Sequence, residues 1–233
     1  MKTIGLIGGT GWVSTVEYYR IINEEANRRQ GGLNFAKCFL YSLNYGDIDA
    51  FNKNNNKAGV YSLIYEASKK VTEAGAECLV LCANTLHQFA DDLEKGFNIP
   101  LVHIAEATAR EINRKGFKKI GLLGTKQTME MDFYRDKLAN FNIEMIIPPQ
   151  DDRDFIQNTI NNELIKGKFL KQSKERFQKI MNELGQREAQ GIVLGCTEIP
   201  LLIKQEDADL PLFDTIGIHA KAVVDFAREV NNE

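Results

Sequence analysis

Apolar and polar positions fall into two kinds of block that alternate along the chain. Short apolar runs ending in Gly, Asn or Thr predict strands at residues 3–7, 36–43, 78–82, 101–104, 119–123, 144–147, 191–194 and 212–214. Longer stretches with apolar residues three and four apart predict helices at 14–29, 59–74, 105–115, 128–141, 172–185 and 220–230. In the first helix, Tyr18, Ile21, Ile22 and Ala26 form the stripe to be buried. A strand–helix rhythm of this kind reads as a parallel sheet covered by helices, an α/β fold.

The pattern occurs twice. KTIGLIGGTG from Lys2 is answered by KKIGLLGTKQ from Lys118, CLVLCANTLH from Cys78 by GIVLGCTEIP from Gly191, and NIPLVHIAEATAREI from Asn98 by DLPLFDTIGIHAKAV from Asp209. Three matched segments in one order, at nearly constant separation, imply two copies of one βα unit. The expected architecture is two pseudo-symmetric lobes, each a mostly parallel sheet flanked by helices, with an active-site cleft between them. The second copy ends with the chain, which allows an exchange of terminal elements: residues 1–98 with 207–233 as the first lobe and 99–206 as the second. No Gly/Ser- or Pro-rich tract separates the copies. The Asn-rich segment 52–57 (NKNNNK) reads as a mobile surface loop or lid.

Composition narrows the function. Of 233 residues, 43% are hydrophobic and 26% charged, as in ordinary folded proteins. A net charge of −3, with no long basic run, argues against nucleic-acid binding. No apolar segment reaches membrane-spanning length, and the start, MKTIGLIGG, enters a strand-like run without the features of a secretory signal. The expectation is a cytoplasmic protein with no membrane or nucleic-acid partner. Cys38, Cys78, Cys82 and Cys196 are expected as free thiols, and no His stands at zinc-ligand spacing from the Cys78/Cys82 pair.

In parallel sheets ligands bind beyond the carboxyl ends of the strands. Four such segments stand out: Gly8-Gly9-Thr10-Gly11-Trp12, Cys82-Ala83-Asn84-Thr85, Gly124-Thr125-Lys126-Gln127-Thr128 and Gly195-Cys196-Thr197-Glu198. Each offers small residues, hydroxyls or amides, and backbone N–H groups suited to a carboxylate. A dinucleotide fingerprint fails on spacing, because Ser14 stands where a third Gly is required and the second strand ends without an acidic residue. Cys196 is either a small buried hydrophobe or a reactive thiol. Its place after a strand, at an expected helix start that would lower its pKa, favours the second.

IGLIGGTGW with STVEYYRIIN, then CANTLH, IGLLGT, GCTEIP and FDTIGIHA, resemble the pyridoxal-independent aspartate/glutamate racemase family, within the Asp/Glu/hydantoin racemase superfamily, along nearly the whole chain. The resemblance implies two pseudo-symmetric α/β lobes, a homodimer, no cofactor, no metal, and a small dicarboxylic amino acid as substrate. It also implies one acid/base cysteine per lobe, working on opposite faces of a planar carbanion. Cys196 matches the second cysteine. The first falls on Ala83, and the internal repeat independently pairs Ala83 with Cys196. Cys82 is one residue early and, on a strand, points to the other face. Thr85, His87 or a shifted Cys82 are the candidate substitutes.

By resemblance, Gly9, Thr10, Ala83, Asn84, Thr85, Thr125 and Thr197 occupy substrate-binding loop positions, and Lys166 or Lys168 supplies a basic group. A basic residue expected near Ala50 is absent. His87 is open between general base and structural residue, His103 reads as structural, and His219 either caps the last helix or reaches the cleft. Trp12 and the Tyr18–Tyr19 pair read as core or subunit contacts, and Glu198 as a residue that orients its loop. The expected activity is racemisation of aspartate or glutamate through Cys196. The alternatives are a single-thiol decarboxylase or isomerase of a small dicarboxylate, and a catalytically impaired dicarboxylate-binding homologue.

Overall fold

The computed structural model describes residues 1–229, and the chain divides into two units, residues 1–103 with 219–233 and residues 104–218. Residues 230–233, to which the expected first lobe extends and which include the last residue of the expected helix 220–230, lie outside the described residues. No helix among the described residues is long and apolar enough to cross a membrane.

The first unit is built on a three-stranded parallel sheet in the order β2 (Cys38–Ser42), β1 (Ile4–Gly8), β3 (Cys78–Leu81). β1 is central and every one of its residues is buried, which is why its apolar run is unbroken. The expected strand 101–104 shrinks to a single bridge, Leu101 to Leu79. Pro100 precedes it, and helix α5 (Ile104–Arg114) starts three residues on. Around the sheet lie α1 (Trp12–Gln30), α2 (Tyr45–Lys53), α3 (Lys57–Glu73) and α4 (Ala90–Gly96). Of its expected stripe α1 buries Tyr18, Ile22 and Ala26 but leaves Ile21 partly exposed, and Trp12 is 71% exposed and is not part of the core.

The Asn-rich segment is not an open loop. Asn52 and Lys53 end α2, and residues 54–56 are the tight link to α3. The Asn56 Oδ1 accepts the Gly59 N–H, Asn55 takes the left-handed conformation that Asn tolerates (φ +51°), and the Phe51 ring packs directly against Gly59. The asparagines serve as caps and turn residues rather than as a lid.

The second unit has a four-stranded parallel sheet in the order β5 (Glu144–Ile146), β4 (Lys119–Gly124), β6 (Ile192–Gly195), β7 (Leu212–Asp214). Its helices are α5, α6 (Lys126–Glu130), α7 (Asp132–Ala139), α8 (Gln150–Asn162), α9 (Lys171–Gln186) and α10 (Ile199–Leu202). The expected helix 128–141 is two helices, because Met131 is extended (φ −82°, ψ 150°) between α6 and α7. α11 (Thr215–Arg228) begins in this unit and passes from His219 onward into the first.

The duplication is visible in the topology. β4, β5, β6 and β7 stand in the order of β1, β2, β3 and the Leu101 bridge, and the register Ile192↔Leu212 repeats Leu79↔Leu101. Each unit has its own apolar core. One centres on Ile7, Ile64, Leu81 and Leu93, the other on Leu122, Tyr134, Phe177 and Val193.

Candidate active site

In the first unit, β1 runs into Gly8-Gly9-Thr10-Gly11, and α1 begins at Trp12. Gly9 has φ +89°, and a Cβ there would lie 2.1 Å from the Leu43 carbonyl oxygen, so only glycine fits. Its N–H donates to the Thr15 hydroxyl (2.9 Å), which in turn donates to the Gly11 carbonyl (3.1 Å), and these two bonds fix the loop. The Thr10 hydroxyl oxygen is buried and makes no hydrogen bond among the described residues.

After β3, Cys82 is fully buried, its N–H still paired with the Ile7 carbonyl at 2.9 Å. Burial pushes its thiol far up, with a smaller contribution from Cys38, so the sulfur is protonated at neutral pH. Ala83 is partly exposed and extended, and it opens a 3-10 helix, Asn84–Phe89. Within that turn Asn84 is buried and Thr85 partly exposed. Cys82 and Ala83, both past the last residue of β3, thus differ in burial.

His87 is 2% exposed, and its Nδ1 lies 3.0 Å from the Ala83 carbonyl oxygen. A carbonyl only accepts, so Nδ1 carries the hydrogen. The ring packs edge-on against His103 (centroids 4.7 Å apart) and His219 (5.4 Å), bringing all three histidines of the chain together. Burial first, then these two neighbours, hold His87 well below the usual histidine range. His219 does not cap a helix end. It sits within α11 and bonds to Tyr18 and to the Val102 carbonyl.

In the second unit, Thr125 and Cys196 follow the adjacent strands β4 and β6, at the paired residues Gly124 and Gly195. A Cβ on Gly124 would lie 2.9 Å from the Gly195 carbonyl oxygen, so these strand ends approach closely because both are glycine. Thr125 caps α6, its hydroxyl accepting the Thr128 N–H at 3.2 Å. Cys196 is 6% exposed. Its Sγ lies 3.1 Å from Oε2 of Glu198, and the Thr197 hydroxyl lies 2.9 Å from the same oxygen. The 3-10 turn Leu164–Lys166 packs against α10, the helix that follows Cys196. Lys166 ends that turn and Lys168 lies just past Gly167. Both are exposed, and both backbone N–H groups bond to the Glu163 carbonyl.

One expectation fails. A helix start was to lower the Cys196 pKa, yet α10 is a single turn, and the thiol is held well above its usual range. Burial is the larger cause and the Glu198 charge the next. The backbone N–H groups of Glu198 and Ile199 pull the other way and lose. At rest, Cys196 is a thiol. Sequence reasoning had Glu198 orienting the loop and missed it as the acceptor of the thiol hydrogen. The only sequence signal is an acidic residue two positions after a strand-end cysteine.

Residues 7–223 match the family described as Asp/Glu/hydantoin racemase. The chain belongs to this family. Across 98% of its length this racemase-family chain superposes on a solved Yersinia pestis chain assigned to the Asp/Glu racemases (42% identical, TM-score 0.92, all of that chain covered). It also superposes on an aspartate racemase homologue from Pyrococcus horikoshii OT3 (35% identical, TM-score 0.83, again all of that chain, 98% of this one). Among characterised sequences, it is 24% identical over 230 residues to the broad specificity amino-acid racemase RacX of Bacillus subtilis, covering 95% of this chain and 96% of that one. The α/β architecture with two parallel sheets flanked by helices is that of the solved racemases.

Proposed function

We propose that this chain is a cofactor-independent racemase of aspartate or glutamate, in which Cys196 is the proton acceptor or donor on one face of the α-carbon. The observation that carries this reading is the Cys196 thiol itself, at the carboxyl end of β6 and hydrogen-bonded to a buried carboxylate. A general acid or base must exchange a proton at its reacting atom, and this sulfur has a partner within reach to do so. Family membership and relatives named as aspartate, glutamate and broad specificity racemases support the reaction class.

In this reading the substrate carboxylates are held by backbone N–H groups and hydroxyls at Gly9, Thr10, Asn84, Thr85, Thr125 and Thr197, with Lys166 or Lys168 supplying positive charge. A second acid or base would come from Thr85, His87 or Cys82, of which Cys82 and His87 are buried in neutral form. Ala83 supports a second reading, a decarboxylase or isomerase of a small dicarboxylate that protonates one face through Cys196 alone.

Incubation of L- and D-aspartate and L- and D-glutamate in deuterated water, followed by NMR and chiral chromatography, separates these readings. α-Deuteration with inversion supports racemisation. Exchange with retention supports one-sided chemistry. Binding without any exchange means a dicarboxylate-binding homologue, and the proposal fails.

A further inference from the structure

Six large apolar side chains lie on one face of the first unit instead of in its core. Trp12, Val16 and Tyr19 stand at helical spacing along α1 and form a stripe apart from the one it buries, Tyr18, Ile22 and Ala26. Further along the helix, the Asn23 side chain accepts the Ala36 N–H at 3.2 Å, and Asn27 donates to the Gly32 and Asn34 carbonyls at 2.8 and 3.2 Å. These bonds hold the segment carrying Leu33 and Phe35 against α1. The segment leads into β2, where Leu40 is paired with Leu6 and shares its side of the sheet. A Cβ on Gly8, two residues beyond Leu6, would run into the Thr15 side chain, so that side is the one α1 covers. All six side chains are 46–91% exposed.

β2 is also the edge strand of its sheet. Lys37 and Leu43 bond inward to β1, so by alternation Cys38, Leu40 and Ser42 turn their N–H and C=O groups outward, where no further strand follows among the described residues. Such a strand is complementary to itself. Turned antiparallel about a twofold axis at Leu40, two copies place Leu40 opposite Leu40 and Cys38 opposite Ser42, and all three outward residues are paired. The same axis sets the two α1 stripes side by side on one face of the joined sheet. The six side chains expose on the order of 700 Å², more than the ~300–600 Å² patch of a typical monomer and near the ~800 Å² that each partner of a standard interface buries. Beside the stripe, Arg20 is paired with both Glu17 and Glu24, as in the polar rim of an interface.

We infer that a second copy of this chain docks on the α1–β2 face, with β2 of one protomer pairing antiparallel with β2 of its partner, so that the two three-stranded sheets become one. The apolar stripe of α1, with Leu33, Phe35 and Leu40, is the surface that this association removes from water. The inference is independent of the reaction assigned to Cys196.

Sedimentation velocity on the full chain, with oxidative cross-linking at β2 resolved by peptide mass spectrometry, tests this. Wild type is expected as a dimer at about 10 μM protein. Val16→Asp and Leu40→Asp each place a charge where the partner would exclude water, and each is expected to weaken association by about 10²-fold or more with unchanged circular dichroism. Leu40→Cys in a Cys38→Ser background is expected to form a disulfide with its own copy, because residues opposed in such a pair lie ~5.5 Å apart at Cα. A wild-type chain that is monomeric at about 100 μM leaves the face to some other partner and overturns the proposal. So does a dimer that either aspartate variant leaves intact, which places the contact elsewhere. Dissociation by both variants without the Leu40→Cys cross-link overturns the pairing of β2, and the proposal with it. If the aspartate variants do not fold, the cross-link decides, and its absence overturns the proposal.

Discussion

The Tyr18 hydroxyl and Nδ1 of His219, 201 positions apart in sequence, lie 2.8 Å from each other, and Nε2 of the same ring lies 2.8 Å from the Val102 carbonyl oxygen. Because the carbonyl only accepts, Nε2 carries the hydrogen and Nδ1 accepts from tyrosine. One neutral ring thus ties α1 and α11 to the segment that follows the Leu101 bridge. Tyr18→Phe leaves a buried acceptor without this donor and is expected to cost about 1–3 kcal/mol of stability. Urea unfolding at neutral pH checks this, and an unchanged midpoint would show that the bond contributes nothing.

The histidine cluster makes stability depend on pH. Burial lowers His219 to about 4, and burial with the neighbouring rings lowers His87 further than its usual range. Both therefore bind protons less readily folded than unfolded. As pH falls below about 6.5 the unfolded chain takes up protons that the folded chain refuses, so stability declines until pH passes the folded value near 4. His219 alone accounts for on the order of 3 kcal/mol over that window. Unfolding free energies measured at steps from neutral to acid pH should follow this slope, and a flat profile down to pH of about 5 contradicts it.

Gly9→Ala places a methyl against the Leu43 backbone at a positive φ. The expected cost is about 2 kcal/mol or more, combining backbone strain with displacement of β2's end. Thermal unfolding reads the cost, and the same variant should lose most α-proton exchange because the Thr10 loop moves with it.

Much of this was legible before any coordinates, for identifiable reasons. Strands β1, β3 and β6 are buried throughout and β4 from Ile120 onward, so their apolar runs are continuous, and the repeat of those runs reports the shared topology. The loops that follow them, including Cys196, are marked by glycine and hydroxyl residues. α8 was missed because its buried face contains Asp152 and Thr159 beside Ile156 and Ile160, which breaks the apolar stripe. Asp152 is there because it pairs with Arg176 of α9, a contact made only on folding. The protonated resting state of Cys196 was misjudged because it is decided by burial and by the return of the Glu198 side chain, neither of which is written in the local sequence. His87, His103 and His219 meet only through tertiary structure.

Position 83 offers a gain-of-function test. Ala83 follows a buried strand and is partly exposed, so a slightly larger side chain is tolerable there. Ala83→Cys supplies a thiol at the repeat-related position of Cys196 and is expected to raise inversion relative to α-proton exchange by about tenfold or more. Chiral chromatography alongside NMR gives that ratio, and an unchanged ratio counts against a second acid/base role at this position.

The most direct test of the account is the rate of α-deuterium incorporation into aspartate and glutamate in deuterated water, compared between the wild-type chain and Cys196→Ala. Cys196 as the acid or base on one face of the α-carbon predicts measurable incorporation by wild type and a loss of about 10²-fold or more in a variant that remains folded. Equal incorporation by the two proteins, or none by wild type, would contradict it.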